Sequence, residues 1–186
     1  MKPLNSDTHP LLVDFLPANI IKLPGQIGMT IAPGKQHNGM HVPWQRDLEK
    51  DLIRLRKHYR TDLLVSLIEA QELEQLQIPD LFERIQLHEM QSQWFPIQDF
   101  GTPTSMPDLV ELVDLILATV KQGQTVVIHC RGGLGRSGLV VAACLVALGY
   151  SPEEAFGHIR QARPGSVETP EQEAYVYEFE RVLKDA

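Results

Sequence analysis

The chain has 186 residues, 43% of them hydrophobic and 22% charged, enough for one well-filled core and too few for two. Acidic residues number 24 against 17 basic ones, and the net charge of −7 argues against a nucleic-acid duplex or an anionic membrane as the main partner. Two cysteines give no disulfide framework and seven scattered histidines show no paired metal spacing, so a protein of the reducing cytoplasm without a metal or organic cofactor is expected.

Residues 1–7 lack the continuous apolar core of a signal peptide, and the apolar runs elsewhere are too short to span a bilayer, which predicts a soluble protein. Residues 1–19 carry Pro3, Pro10 and Pro17 and read as an extended arm over the surface; residues 20–186 read as one domain. Residues 20–23 and 26–31 look like two short strands, broken by Pro24-Gly25 and closed by Pro33-Gly34, as in a hairpin or sheet edge. Between 44 and 59, Leu48, Leu52, Ile53 and Leu55 sit at helical spacing among charged residues and predict an amphipathic surface helix. Residues 62–68 form a buried-strand pattern that turns into helix at 69–73. Residues 78–84 continue as a second short helix interrupted by Pro79, and a brief strand or loop leads through Gln86-Leu87-His88 to Trp94.

Residues 94–103 hold Pro96, Pro103, Gly101 and the isolated acid Asp99 among large apolar groups, a composition suited to a shaped loop. A leaving ester oxygen needs a proton, and a carboxylic acid on a loop can supply it while excluding water. Asp99 is therefore the candidate general acid. A helix over 107–120, with Pro107 in its first turn and Asp108 beside it, leads to the β-branched run Thr125-Val126-Val127-Ile128. That strand delivers His129 and Cys130 to its carboxyl end.

Residues 139–148 are apolar on nearly all faces and stop at Gly149, so the stretch from His129 to Gly138 is a strand-to-helix turn. Its three glycines, Gly132, Gly133 and Gly135, permit the positive-φ turns that aim successive N–H groups inward, forming an anion nest on a helix N-terminus. Five residues separate Cys130 from Arg136, which puts the sulfur at the floor and the guanidinium at the rim, where its planar fork suits two phosphate oxygens. Donors that hold phosphate also stabilise a thiolate. Cys130 is then a nucleophile facing a phosphoryl group cradled by Arg131, Gly132, Gly133, Leu134, Gly135 and Arg136. Ser137 can hydrogen-bond the sulfur and help it leave. A thiolate held by a nest needs no base, so His129 reads as a residue that orients the loop. Cys144, inside the apolar helix, reads as a plain hydrophobe, the alternative being a partner that traps oxidised Cys130 as a disulfide.

Ser151, Pro152 and Glu154 make a capped helix start, with Arg160 and Arg163 at the far end as dipole partners or surface charges, and Arg163 alternatively as a residue that approaches substrate. Residues 165–172 precede a last helix carrying Tyr175, Val176, Phe179, Val182 and Leu183.

The string His-Cys, five residues, Arg, Ser resembles the signature of the cysteine-dependent protein phosphatases. Pro96-Ile97-Gln98-Asp99 with Thr102-Pro103 sharpens the likeness to the kinase-associated phosphatase (cyclin-dependent kinase inhibitor 3-like) branch of the dual-specificity phosphatases. Ile27-Gly28-Met29, Ala32-Pro33-Gly34-Lys35 and Ala142-Ala143-Cys144-Leu145 echo that branch, and the likeness spans most of residues 25–183. The resemblance implies a three-layer α/β fold with a central, mainly parallel sheet flanked by helices. It also implies that Cys130 attacks phosphorus, Arg136 clamps the phosphate and Asp99 protonates the leaving oxygen, then activates water once ionised. Related phosphatases position that water with a glutamine; Gln172 matches one such position, and Glu168 stands where some relatives have glutamine. The expected activity is hydrolysis of phosphotyrosine, with phosphoserine or phosphothreonine, on a phosphorylated protein. A monomer without nucleic-acid or membrane partners is expected. The alternatives are a phosphatase of an inositol phosphate, nucleotide or RNA end, which would call for extra lysines in the loop, and a non-catalytic phosphate binder, which would have no use for Cys130 and Asp99.

Overall fold

The computed structural model describes residues 2–38 and 42–186. In chain order its elements are β1 (Leu4–Asn5), β2 (Asp14–Phe15), α1 (Ala18–Ile21), β3 (Gln26–Thr30), β4 (Gln36–Asn38), β5 (Pro43–Gln45) and α2 (Leu48–Ile53), which runs on into a π-helical turn (Arg54–His58). There follow β6 (Leu63–Ser66), α3 (Ala70–Gln75), α4 (Leu81–Leu87), β7 (Gln91–Trp94), α5 (Met106–Lys121), β8 (Thr125–His129), α6 (Gly135–Ala147), α7 (Pro152–Ala162) and α8 (Pro170–Asp185).

The main sheet has the order β2-β3-β8-β6-β7, with β3, β8, β6 and β7 parallel and only the edge strand β2 antiparallel. Alternation along β8 sorts the layers: Val126 and Ile128 enter one apolar cluster, Val127 the other. The first cluster is closed by α5, α6, α7 and α8, and the second by α2, α3 and α4. Helices thus cover both faces, as a parallel sheet requires. Register aligns Thr30, His129 and Ser66 across the carboxyl ends of β3, β8 and β6. Cys130 emerges at the middle of that row. A small second sheet, β1-β5-β4, lies apart from this ladder.

The strand expected over residues 20–23 is instead the single helical turn α1. It follows Pro17, and Lys22 in the left-handed region (φ 54°) closes it by donating its N–H to the Ala18 carbonyl. β3 therefore has no hairpin partner there and pairs with β2, so the amino-terminal segment read as a surface arm adds strand residues to both sheets and buries Leu11, Val13 and Leu16. The helix expected from 44 begins later, because Trp44 is bound in β5 and Asp47 caps α2 by accepting from the Lys50 N–H. Pro79 precedes α4 rather than interrupting it, since the residue before a proline avoids helical backbone and the helix starts beyond it. Gln86 and Leu87 end α4, and the strand that follows is β7. The capping boxes at Ser151 and Glu154 and at Thr169 and Gln172 start α7 and α8. No helix among the described residues is long and apolar enough to cross a membrane.

Candidate active site

Between β8 and α6 the backbone turns so that its carbonyls are held outward, each by an identifiable donor. His129 Nδ1 takes the Cys130 carbonyl at 3.1 Å; the Ala32 N–H and Lys35 Nζ take that of Arg131 at 3.3 and 3.1 Å. Arg163 takes those of Gly132 (Nη2, 3.0 Å) and Gly133 (Nε, 2.7 Å), and the Gly138 and Val167 N–H groups take that of Leu134. With the carbonyls fixed outside, the N–H groups line the inside, and the Gly133 N–H donates to Cys130 Sγ at 3.2 Å. Gly133 has φ +68°, and a β-carbon there would collide with the Thr30 carbonyl of β3, so only glycine fits. The N-cap residue Leu134 offers no side-chain cap to α6, and the only carboxylate close to its first residue, Gly135, among the described residues is that of Glu168.

Arg136 is 1% exposed and holds three elements together. Its Nη1 and Nη2 donate to the two Glu72 oxygens at 2.6 and 2.9 Å, Nη1 also donates to the Ile97 carbonyl at 2.9 Å, and Asp99 Oδ1 stands 2.9 Å from Nη2. Burial alone would raise the Glu72 carboxyl, but hydrogen bonds from Arg136 and the Glu69 N–H carry it below the ordinary carboxylate value. The acid loop is tied down twice more. The Phe100 N–H donates to Asp99 Oδ1 at 3.1 Å, and Gln172 Nε2 donates to the Gly101 carbonyl at 3.1 Å. Gln172 Oε1 accepts from the Glu168 and Thr169 N–H groups, so its amide is engaged at both ends.

His129 is fully buried, and burial pulls it down to about 4 against the upward pull of its bond to the Cys130 carbonyl, so it is neutral. Because a carbonyl only accepts, Nδ1 carries the proton and Nε2 accepts from Ser66 Oγ at 2.6 Å, a tautomer assigned from this network. Lys35 lies buried with Nζ 4.2 Å from the Trp44 ring centroid; burial lowers it to about 8, with Cys130 opposing and Arg131 adding to the drop. Ser137 Oγ is buried without a hydrogen-bond partner among the described residues. Arg131 Nη1 donates to Gln75 Oε1 at 3.3 Å on the flank of the loop. Cys144 is fully buried and its thiol is pushed up to about 12.

The structure thus brings Cys130, Arg136, Asp99, Ser137, Arg131 and Gln172 around one loop. Glu72, Lys35, Arg163, Asp14 and Ser66 carry parts that sequence reasoning did not assign. Arg163 in particular is not a surface charge: its side chain is 15% exposed, and Nη1 pairs with Asp14 Oδ2 at 2.6 Å. Glu72 left one local trace, an acid three residues after the Glu69 cap, yet its partner lies 64 residues away.

A family model described as cyclin-dependent kinase inhibitor 3 (CDKN3) matches residues 1–156. The cyclin-dependent kinase inhibitor 3 of Rattus norvegicus is 28% identical over 181 residues, covering 96% of this chain and 82% of the relative. A crystal structure of kinase associated phosphatase, with its catalytic-site cysteine substituted by serine, superposes with TM-score 0.85 at 27% identity, over 95% of this chain and 97% of that one. Tk-PTP in its active form superposes with TM-score 0.72 at 30% identity, over 91% and 96%. The chain belongs to the cyclin-dependent kinase inhibitor 3 family and carries the fold of the cysteine-dependent dual-specificity phosphatases.

Proposed function

We propose that the protein hydrolyses phosphotyrosine, and phosphoserine or phosphothreonine, on a phosphorylated protein through a cysteinyl-phosphate intermediate. The observation that carries this reading is the placement of Asp99 2.9 Å from Arg136 beside a loop whose inward N–H groups surround Cys130. A phosphoryl group in that loop meets the sulfur at the floor, N–H donors on its sides and the positive charge of Arg136, which is buried and held by Glu72, the Ile97 carbonyl and Asp99 rather than standing at the rim as the spacing suggested. Positive charge from Arg136 and the helix N-terminus offsets the phosphoryl oxygens. Cys130 attacks phosphorus while Asp99 protonates the departing oxygen; water then releases phosphate, and Ser137, whose hydroxyl has no partner among the described residues, steadies the returning thiolate. His129 and Gln172 support the loop and the acid segment through their hydrogen bonds. The chain acts as one phosphatase domain into which residues 4–16 are built through β1 and β2, monomeric and cytoplasmic, with no nucleic-acid or membrane partner.

The test is phosphate release from phosphotyrosine, phosphothreonine and inositol phosphate substrates, with chelator present, comparing wild type with Cys130→Ser. Turnover of the peptides that vanishes in Cys130→Ser supports the reading. Turnover of inositol phosphates alone moves the protein to the non-protein alternative.

A further inference from the structure

The turn between α7 and α8 brings a second carboxylate to the mouth of the loop. Glu168 Oε2 rests on the backbone of Gly135, so closely that a β-carbon there would strike it. Gly135 opens α6, so this carboxylate stands over the same helix N-terminus that faces Cys130. Glu168 is also exposed to solvent. The charged groups facing it are Asp99 of the acid loop and Arg136 of α6, and the Gln172 amide of α8 also lies against Gly135. Gln172 is committed at both ends of its amide to backbone groups, and Asp99 Oδ1 is committed to Arg136 Nη2 and the Phe100 N–H. Glu168 makes no ion pair among the described residues.

We propose that Glu168 is the base of the hydrolytic half-reaction, in place of Asp99 or a water-positioning Gln172. This rests on the phosphatase reading above. With Cys130 phosphorylated, a water oxygen forms a bond to phosphorus as the Sγ–P bond breaks. The bonding pair returns to sulfur as a thiolate, the water proton passes to Glu168, and inorganic phosphate leaves. A glutamine in this place could only orient the water; a carboxylate accepts its proton as well. Burial and the neighbouring Asp99 both raise the Glu168 carboxyl, while the Gly135 backbone and Arg136 pull it down, for a net rise. The first half-reaction leaves Asp99 ionised, and a fresh like charge strengthens the grip of Glu168 on a proton when the second half-reaction needs it.

Glu168→Gln keeps the shape and removes the base. Turnover of p-nitrophenyl phosphate is quenched with acid, and the fraction of Cys130 carrying phosphate is measured alongside the rates of phosphoenzyme formation and of phosphate release. The expected result is a fall in kcat of about 10²-fold, phosphocysteine accumulating toward one per chain, and formation within a few-fold of wild type. A kcat near wild type, or a fall without accumulation, overturns the assignment. Absence of phosphocysteine from both wild type and Glu168→Gln would overturn the covalent phosphatase reading itself, a failure distinct from that of Glu168 alone.

Discussion

Replacing Arg163 by methionine tests whether the phosphate loop is held open from behind. Arg163 donates to the Gly133 carbonyl at 2.7 Å and the Gly132 carbonyl at 3.0 Å, and these bonds keep two peptide planes turned with their N–H groups inward. A hydrogen bond to a charged group contributes about 1.5–3 kcal/mol, and two on one guanidinium are not additive, so about 2–3 kcal/mol of support for the inward conformation is at stake. At 1.36 kcal/mol per tenfold, that corresponds to a loss of roughly 30- to 150-fold in kcat/KM. Asp14 loses its partner too, but its carboxylate is 39% exposed and water replaces the guanidinium, so global stability should change little. Arg163→Lys keeps the charge but not the fork that spans two carbonyls, and should recover only part of the activity. The assays are kcat/KM on p-nitrophenyl phosphate, competitive inhibition by sulfate and a urea melt. Activity within twofold of wild type would refute the buttress; a large drop in the melting midpoint would mean that Arg163 holds the fold rather than the loop.

Three further changes bear on neighbouring parts. Glu72→Gln leaves the buried Arg136 without its bidentate partner, at a cost of about 3–5 kcal/mol or roughly 6–20 °C in Tm, and added phosphate should restore part of the loss in a thermal melt by returning a negative charge to Arg136. Asp99→Asn should lower kcat on a phosphotyrosine peptide by about 10²–10⁴ and much less on p-nitrophenyl phosphate, whose leaving group needs less protonation; equal losses on the two substrates would deny Asp99 its role as acid. Lys35, lowered from 10.5 to about 8, should lose its charge as pH rises through about 8. Sulfate, a dianion throughout that range, should then inhibit wild type more weakly, and Lys35→Met should show no such inflection. The same shift means that the unfolded chain binds more protons between about 8 and 10.5, so the stability cost of burying Lys35 is present below about 8 and fades as pH rises across that window.

The loop from Cys130 to Arg136 was readable because its chemistry is contiguous: one strand, three glycines, and a cysteine and an arginine with five residues between them all serve the same turn. Asp99 was readable as the only acid in a loop of prolines and aromatics. What could not be read is what holds them. Arg163 and Glu72 look like ordinary helix charges, and their partners lie 30 and 64 residues away in sequence, brought close only by the packing of α7 and α3 around the sheet. Lys35 was visible as part of a turn, but nothing local says that its Nζ reaches the Arg131 carbonyl, 96 residues on. The misread strand at Ile20-Ile21 has a similar cause: β-branched neighbours favour a strand, but Pro17 and the burial of Ile21 favour one helical turn. Glu168 was visible as a departure from glutamine; its seat on Gly135 gives that departure a chemical meaning.

The most direct measurement is to quench wild-type protein with acid during turnover of a phosphotyrosine peptide and map the bound phosphate by mass spectrometry. The expected result is phosphate on Cys130, absent from Cys130→Ser, with turnover unaffected by chelator. Phosphate found on another side chain, or steady release of phosphate from Cys130→Ser, would contradict the account.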